Sequence, residues 1–270
     1  MKIKIAVLVD NSTLVSQDTN LVGEAGASYY IEDENKKFLF DVGFSDNFYK
    51  NSKIMGIDLS KVDAIVLSHG HDDHIGGLRY MPEFMEGKPI VCHPDLFGPI
   101  YLNGLPIGCD FTNSEIAKKY NLILSREPLK LTQNLWYLGE IPRENNFEGK
   151  RSVGEKQFDS GIAPDNLLDD SALAYVSDKG LFIITGCSHC GICNIITYAK
   201  SVTGVDNVYG VIGGLHLLTV NENLTKTIEF LSKENIQLFC PCHCVALPAK
   251  LEMAKHMQIQ EVGVGQIFEI

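Results

Sequence analysis

The sequence predicts an α/β fold of four layers, with two β-sheets packed face to face and helices covering both outer surfaces. Two observations carry this expectation. Short apolar segments bounded by turn residues are followed by helix-length segments in both halves of the chain. With 270 residues, of which 45% are apolar, the chain can also bury a sizeable core. One domain over residues 1–270 is expected.

The elements follow in order. Residues 2–9 read as an edge strand, since Lys2 and Lys4 alternate with Ile3 and Ile5 and Asp10 follows directly. That pattern, without a small-residue cleavage site, argues against a signal peptide and for a cytoplasmic protein. Residues 28–32 and 37–41 are strands, the second closed by Gly43. A helix is expected over 45–55 and a buried strand over 63–67. Residues 93–128 show no clear pattern. "LWYL" at 135–138 is a strand. The polar stretch 139–168 has no convincing periodicity and reads as a lid. Strands at 172–177 and 181–185 flank the turn "SDKG". They are followed by helix 192–202, strand 207–212, helix 222–234, strand 237–240 and helix 247–257.

The formal net charge of −11 argues against general nucleic-acid binding, which needs a basic face. No apolar run approaches the ~20 residues of a membrane span. A small-molecule substrate is the expected partner, and the sequence does not give an oligomeric state.

The strongest local pattern is "AIVLSHGHDDHIGGL", residues 64–78. A buried strand runs into a turn carrying His69, His71, Asp73 and His74. Three imidazoles and a carboxylate so close together would be costly in a core. At a strand end they can converge on a metal, and this donor set suits zinc, iron or manganese. One ion rarely takes four ligands from so short a loop, so one or two ions are expected.

The motif H-x-H-x-D-H, with "LFDVG" before it and "GGL" after it, resembles the metallo-β-lactamase superfamily. The blocks "SHGHDDHIGGL", "TGCSH" and "HC" look most like a subgroup of metal-dependent hydrolases and of synthases of a dihydropterin-methyl-ribofuranosylaminobenzene phosphate. The resemblance implies a four-layer αββα metallo-β-lactamase sandwich with ligands at successive strand ends. His69, His71 and His189 would hold a first ion, and Asp73, His74 and His243 a second. His216 falls where the superfamily usually has a bridging aspartate. An alternative alignment gives that place to Cys187.

Such a centre activates water for attack on an ester, thioester, amide or phosphoester, with Asp73 holding the nucleophile and taking its proton. Asp41 is expected to orient the histidine loop from behind. Asp169 and Asp170 are explained equally well as caps of a turn. Glu140 and Arg143, at the start of the lid, are candidates for substrate contact. Arg143, Lys150 and Arg151 could meet an anionic substrate.

Eight cysteines in a chain of this kind suggest metal or redox chemistry more than disulfides. Six form two clusters, 187–193 and 240–244. Against the family background of Cys187 and Cys244, the excess is Cys190, Cys193, Cys240 and Cys242. The C-x-x-C-x-x-C spacing and the remote Cys-Pro are similar to ferredoxin cluster loops. Three readings stand: a [4Fe–4S] cluster with a redox partner, redox-active or free thiols, or a thiolate zinc site. The first would make the chain an electron-transfer or redox-sensing protein.

Overall fold

The computed structural model describes residues 2–14, 20–158 and 160–270. Its first sheet has seven strands. In spatial order they are Ile267–Glu269, Lys4–Val9, Ser28–Asp33, Lys36–Phe40, Ala64–Val66, Pro89–Cys92 and Asn121–Leu124. The second has six: Leu238–Pro241, Val208–Gly213, Gly180–Thr185, Ala172–Ser177, Leu135–Tyr137 and Leu129–Lys130.

Strand alternation sorts side chains between layers. Ile5, Val7, Phe38 and Phe40 face Leu173, Tyr175, Phe182 and Ile184 across the core between the sheets. Ala6, Leu8 and Leu39 point the other way, onto Phe48 of helix Asn47–Ile54. Leu181 and Ile183 meet the helices Ile192–Thr203 and Glu222–Leu231 on the far side. The four-layer α/β sandwich is therefore present. Each large apolar side chain buried there contributes about 1.5–3 kcal/mol.

Helix Ile192–Thr203 shows how the sequence shapes an element. Ile192, Ile195, Ile196 and Ala199 are buried at helical spacing. Gly204 ends the helix with φ +72°, a left-handed cap that needs no Cβ. No side chain of its own caps the start. Glu148, from the 139–168 stretch, does so instead, accepting from the backbone N–H of Cys193 at 3.0 Å and of Asn194 at 3.2 Å.

Parallel pairing sets where the site lies. The strands Lys36–Phe40, Ala64–Val66 and Pro89–Cys92 run parallel, as do Gly180–Thr185, Val208–Gly213 and Leu238–Pro241. Their carboxyl ends open at one edge of the sandwich, where ligands bind in open α/β sheets.

Two expectations are corrected. The helices predicted over 222–234 and 247–257 end earlier, at Leu231 and Met253. The 139–168 stretch, read as lacking periodic structure, contains regular strands. Glu155–Phe158 and Gly161–Pro164 form a hairpin that pairs with Ile100–Leu102 in a small third sheet. Its residues lack apolar alternation, because pairing to the neighbouring strand orders them. Residue 159 of that stretch lies outside the described residues. No helix of the described residues is long and apolar enough to cross a membrane.

Candidate metal centre

The histidine loop is fixed from below. Asp41, with φ +56°, accepts from the Ser68 N–H and the Ser68 hydroxyl, both at 2.7 Å. The same carboxylate lies 2.7 Å from His74 Nδ1, and Ser68 Oγ lies 2.9 Å from His69 Nδ1. Asp41 thus sets two imidazoles at once, the supporting position expected of it. Asp169 accepts from the Gly70 N–H at 2.8 Å, and Asp170 from the Cys190 N–H at 2.8 Å. Rather than capping their own turn, these two carboxylates brace the two ligand loops. Gly70 is needed for close approach, since a Cβ there would lie 2.2 Å from the Leu96 carbonyl oxygen.

Three groups of candidate ligands result, each with one donor atom per residue and all donors within 4.8 Å of one another. The first is His69, His71 and His189. The second is Asp73, His74, Cys187 and His243. The third is Cys187, His216 and Cys244. The two trios expected from the family pattern are each brought together. Cys187, the alternative to His216, is the residue that joins the second trio. His216 stands with the two thiols, its ring centroid 4.3 Å from that of His189.

Strand ends deliver these side chains through unusual backbone. Ser188, His216 and His243 have φ of +59°, +47° and +48°. Non-glycine residues held there are strained and concentrate at functional sites.

The residues fit divalent metal. His189 Nδ1 and Nε2, His71 Nε2 and His216 Nδ1 are buried with no hydrogen-bond partner. Such orphaned atoms each cost about 1–3 kcal/mol unless something binds them. Burial holds His69 and His189 well below the ordinary imidazole pKa. Burial, partly offset by Asp73, takes His71 down to about 4. Neutral imidazoles with free lone pairs are what a metal takes. Burial opposes protonation of His74 too, but Asp73 and Asp41 outweigh it and hold His74 at about 9. Burial likewise opposes ionisation of Asp73, and the His74 and His243 imidazoles outweigh it and keep its carboxyl below the usual range. Asp73 Oδ2 lies 3.3 Å from His243 Nε2. Metal binding at His74 must therefore release a proton.

The four excess thiols do not come together. Cys190 and Cys193 pack between the second sheet and its helices, whereas Cys240 and Cys242 lie between the two sheets. The second sheet separates the pairs. Cys242 Sγ sits 3.3 Å from the Tyr29 hydroxyl, and Cys190 and Cys193 are fully packed. All eight thiols are unpaired.

Glu140 and Arg143 are held by other groups of the protein. Glu140 pairs with Arg126 at 2.6 Å and His93 Nε2 at 3.1 Å. Arg143 donates to the carbonyls of Asn166 and Leu167. Lys150 and Arg151 do reach a cavity, of about 570 Å³, whose walls include His189, His216 and Lys226. A second cavity of about 770 Å³ meets Asp73, His243 and Cys244. A third of about 440 Å³ meets His71 and Asp73.

Sequence reasoning missed Asp10 and Asn11. Asp10 accepts from the His243 N–H at 2.9 Å, and Asn11 Oδ1 lies 2.9 Å from His243 Nδ1. The signal was available in "VLVDN", where polar residues end a strand on the edge that carries the motif.

Comparison with known proteins agrees with this geometry. Residues 21–102 match the family model described as the metallo-beta-lactamase superfamily. The chain is 34% identical over 241 residues to 7,8-dihydropterin-6-methyl-4-(beta-D-ribofuranosyl)-aminobenzene-5'-phosphate synthase of Methanocaldococcus jannaschii, covering 83% of this chain and 82% of that protein. It is 32% identical over 270 residues to an uncharacterized protein of the same organism, covering 98% of this chain and 100% of the other. Among solved structures it is similar to a metal-dependent hydrolase of the beta-lactamase superfamily, with TM-score 0.85, 27% identity and 99% of each chain covered. By fold, sequence and site geometry, the chain belongs to the metallo-β-lactamase superfamily.

Proposed function

We propose that this protein is a metal-dependent hydrolase of a small anionic molecule, a phosphoester before a carboxylic ester, thioester or amide. The observation that carries the reading is a cavity in which Lys150 and Arg151 share the wall with His189 of the first candidate group and His216 of the third, on a chain of net charge −11. Local cations on an acidic protein favour an anionic ligand. Divalent ions bound there supply Lewis acidity and a water of lowered pKa.

The chain's own residues do the rest. Asp73, held ionised and reaching two of the cavities, orients a nucleophilic water and accepts its hydrogen bond. Asp41, Asp169 and Ser68 keep the imidazoles in one orientation. Lys150 and Arg151 hold the substrate's charge away from the reacting bond. The eight unpaired thiols favour a reducing, cytoplasmic setting.

The test is a panel of phosphomonoesters, phosphodiesters and carboxylic esters with zinc-, manganese- or iron-loaded protein. Turnover is expected for a phosphorylated member and is expected to vanish in both His71→Ala and Asp73→Ala. Turnover that survives in both variants overturns the reading.

A second reading is favoured by one observation. The relative named as a pterin-pathway phosphate synthase is 34% identical and covers 83% of this chain. Its product carries a phosphate, which the same cations would meet. Synthase activity with the pterin and phosphoribosyl substrates, without hydrolysis of the panel, would select it. The electron-transfer reading has no comparable support, since its four thiols lie in two separate cores.

A further inference from the structure

Cys187, His216 and Cys244 come from three consecutive strand ends, after Thr185, Gly213 and Pro241. One donor atom from each lies within 4.8 Å of the other two. The His216 N–H donates to Cys244 Sγ at 3.2 Å, and Cys244 Sγ lies 3.7 Å from the Cys187 carbonyl oxygen. Thiols used as apolar filler do not need an imidazole turned onto them. Here the imidazole is held on a left-handed backbone, φ +47°, and its Nδ1 is buried without a partner.

Space is kept for this arrangement. Gly214 lies beneath it, and a Cβ there would come 2.6 Å from Cys244 Sγ. Access exists on two sides, because His216 lines the 570 Å³ cavity and Cys244 lines the 770 Å³ cavity. Two thiolates and an imidazole are a soft donor set, better matched to zinc than to magnesium, calcium or manganese. Three protein donors leave a fourth tetrahedral position open.

We infer that Cys187, His216 and Cys244 bind a thiophilic divalent cation of the zinc class beside the hydrolase centre. Cys187 is the ligand this position shares with Asp73, His74 and His243. Loading the position releases the thiol protons to solvent and leaves the sulfurs as thiolates, with no change in oxidation state. The position does not require that the protein be a hydrolase.

Cobalt(II) is the probe, because thiolate ligation gives a near-ultraviolet charge-transfer band. Full-length protein is stripped with a chelator under anaerobic conditions and reloaded. The wild type is expected to show a band from two thiolates. Cys244→Ser should lose about half of that band and about one equivalent of metal. His216→Ala should lose the same equivalent with an unchanged far-ultraviolet circular dichroism spectrum. His71→Ala should keep the thiolate band while losing turnover, so failure of this inference and failure of the hydrolase reading are told apart. Unchanged metal content and band in both Cys244→Ser and His216→Ala overturn the inference, and Cys187 then serves the second group alone. Should Cys244→Ser unfold, the His216→Ala result decides, since His216 is only half-buried.

Discussion

At the scale of single residues, the carboxylates behind the histidines matter as much as the histidines. Asp41 serves Ser68 and His74 together. Asparagine tolerates its left-handed backbone but cannot carry its charge. Asp41→Asn should therefore fold normally and bind metal about 10–100-fold more weakly, read by competition with a metal indicator.

Asp169 gives a pH prediction. Burial raises its carboxyl to about 6, with Lys156 working against the shift. A group raised on folding stabilises the fold fully below its unfolded value of about 3.9, and loses that contribution as pH rises through about 6. The loss is on the order of 2–3 kcal/mol. Urea unfolding of metal-free protein at pH 4.5 and pH 7 should show it in the wild type. Asp169→Asn should lack that component; equal pH slopes in the two proteins would sink the argument.

At the scale of elements, one carboxylate ties the 139–168 stretch to the helices of the second sheet. Glu148 is buried and accepts from two backbone N–H groups at the start of helix Ile192–Thr203. It also lies 3.4 Å from the Thr227 hydroxyl of the next helix. Glu148→Ala should destabilise by about 1–3 kcal/mol and raise proteolysis between 144 and 154. Unchanged cleavage kinetics would mean that other contacts hold the stretch.

This element also marks the limit of sequence reading. Strands such as Gly180–Thr185 and helix Ile192–Thr203 were legible because their burial is periodic. The hairpin Glu155–Phe158 with Gly161–Pro164 is half-exposed, and its order comes from strand pairing that no local pattern encodes. The histidine loop was legible because costly polar residues followed a buried strand. The grouping of the cysteines was not. Chain spacing places Cys190 near His189 and Cys240 near His243, but it does not say which face of the sheet each thiol takes. Phe239 faces the helices, so its neighbour Cys240 must face the other sheet. Likewise, only the assembled site distinguishes Cys187 from His216 as the fourth member of the second group.

At the scale of the whole molecule, charge and cross-sheet ligation dominate. Lys150→Ala with Arg151→Ala should raise KM for a phosphorylated substrate with little change in kcat, because these cations line the cavity wall and are not among the candidate ligands. Equal loss in kcat would place them in the reaction itself. The candidate ligands come from both sheets. His69, His71, Asp73 and His74 follow a strand of the first, and Cys187, His189 and His243 follow strands of the second. An ion bound at 100 times its Kd stabilises by about 2.7 kcal/mol, so chelation should lower Tm by roughly 5–10 °C per site.

That division of ligands between sheets also orders events in time. His69 to His74 emerge early from the ribosome, but their partners at 187, 189 and 243 arrive much later. Neither group can close until the second sheet has docked on the first. During synthesis, the early histidines supply only part of each of these two candidate groups. A complete first or second ligand group therefore exists only once both halves have met.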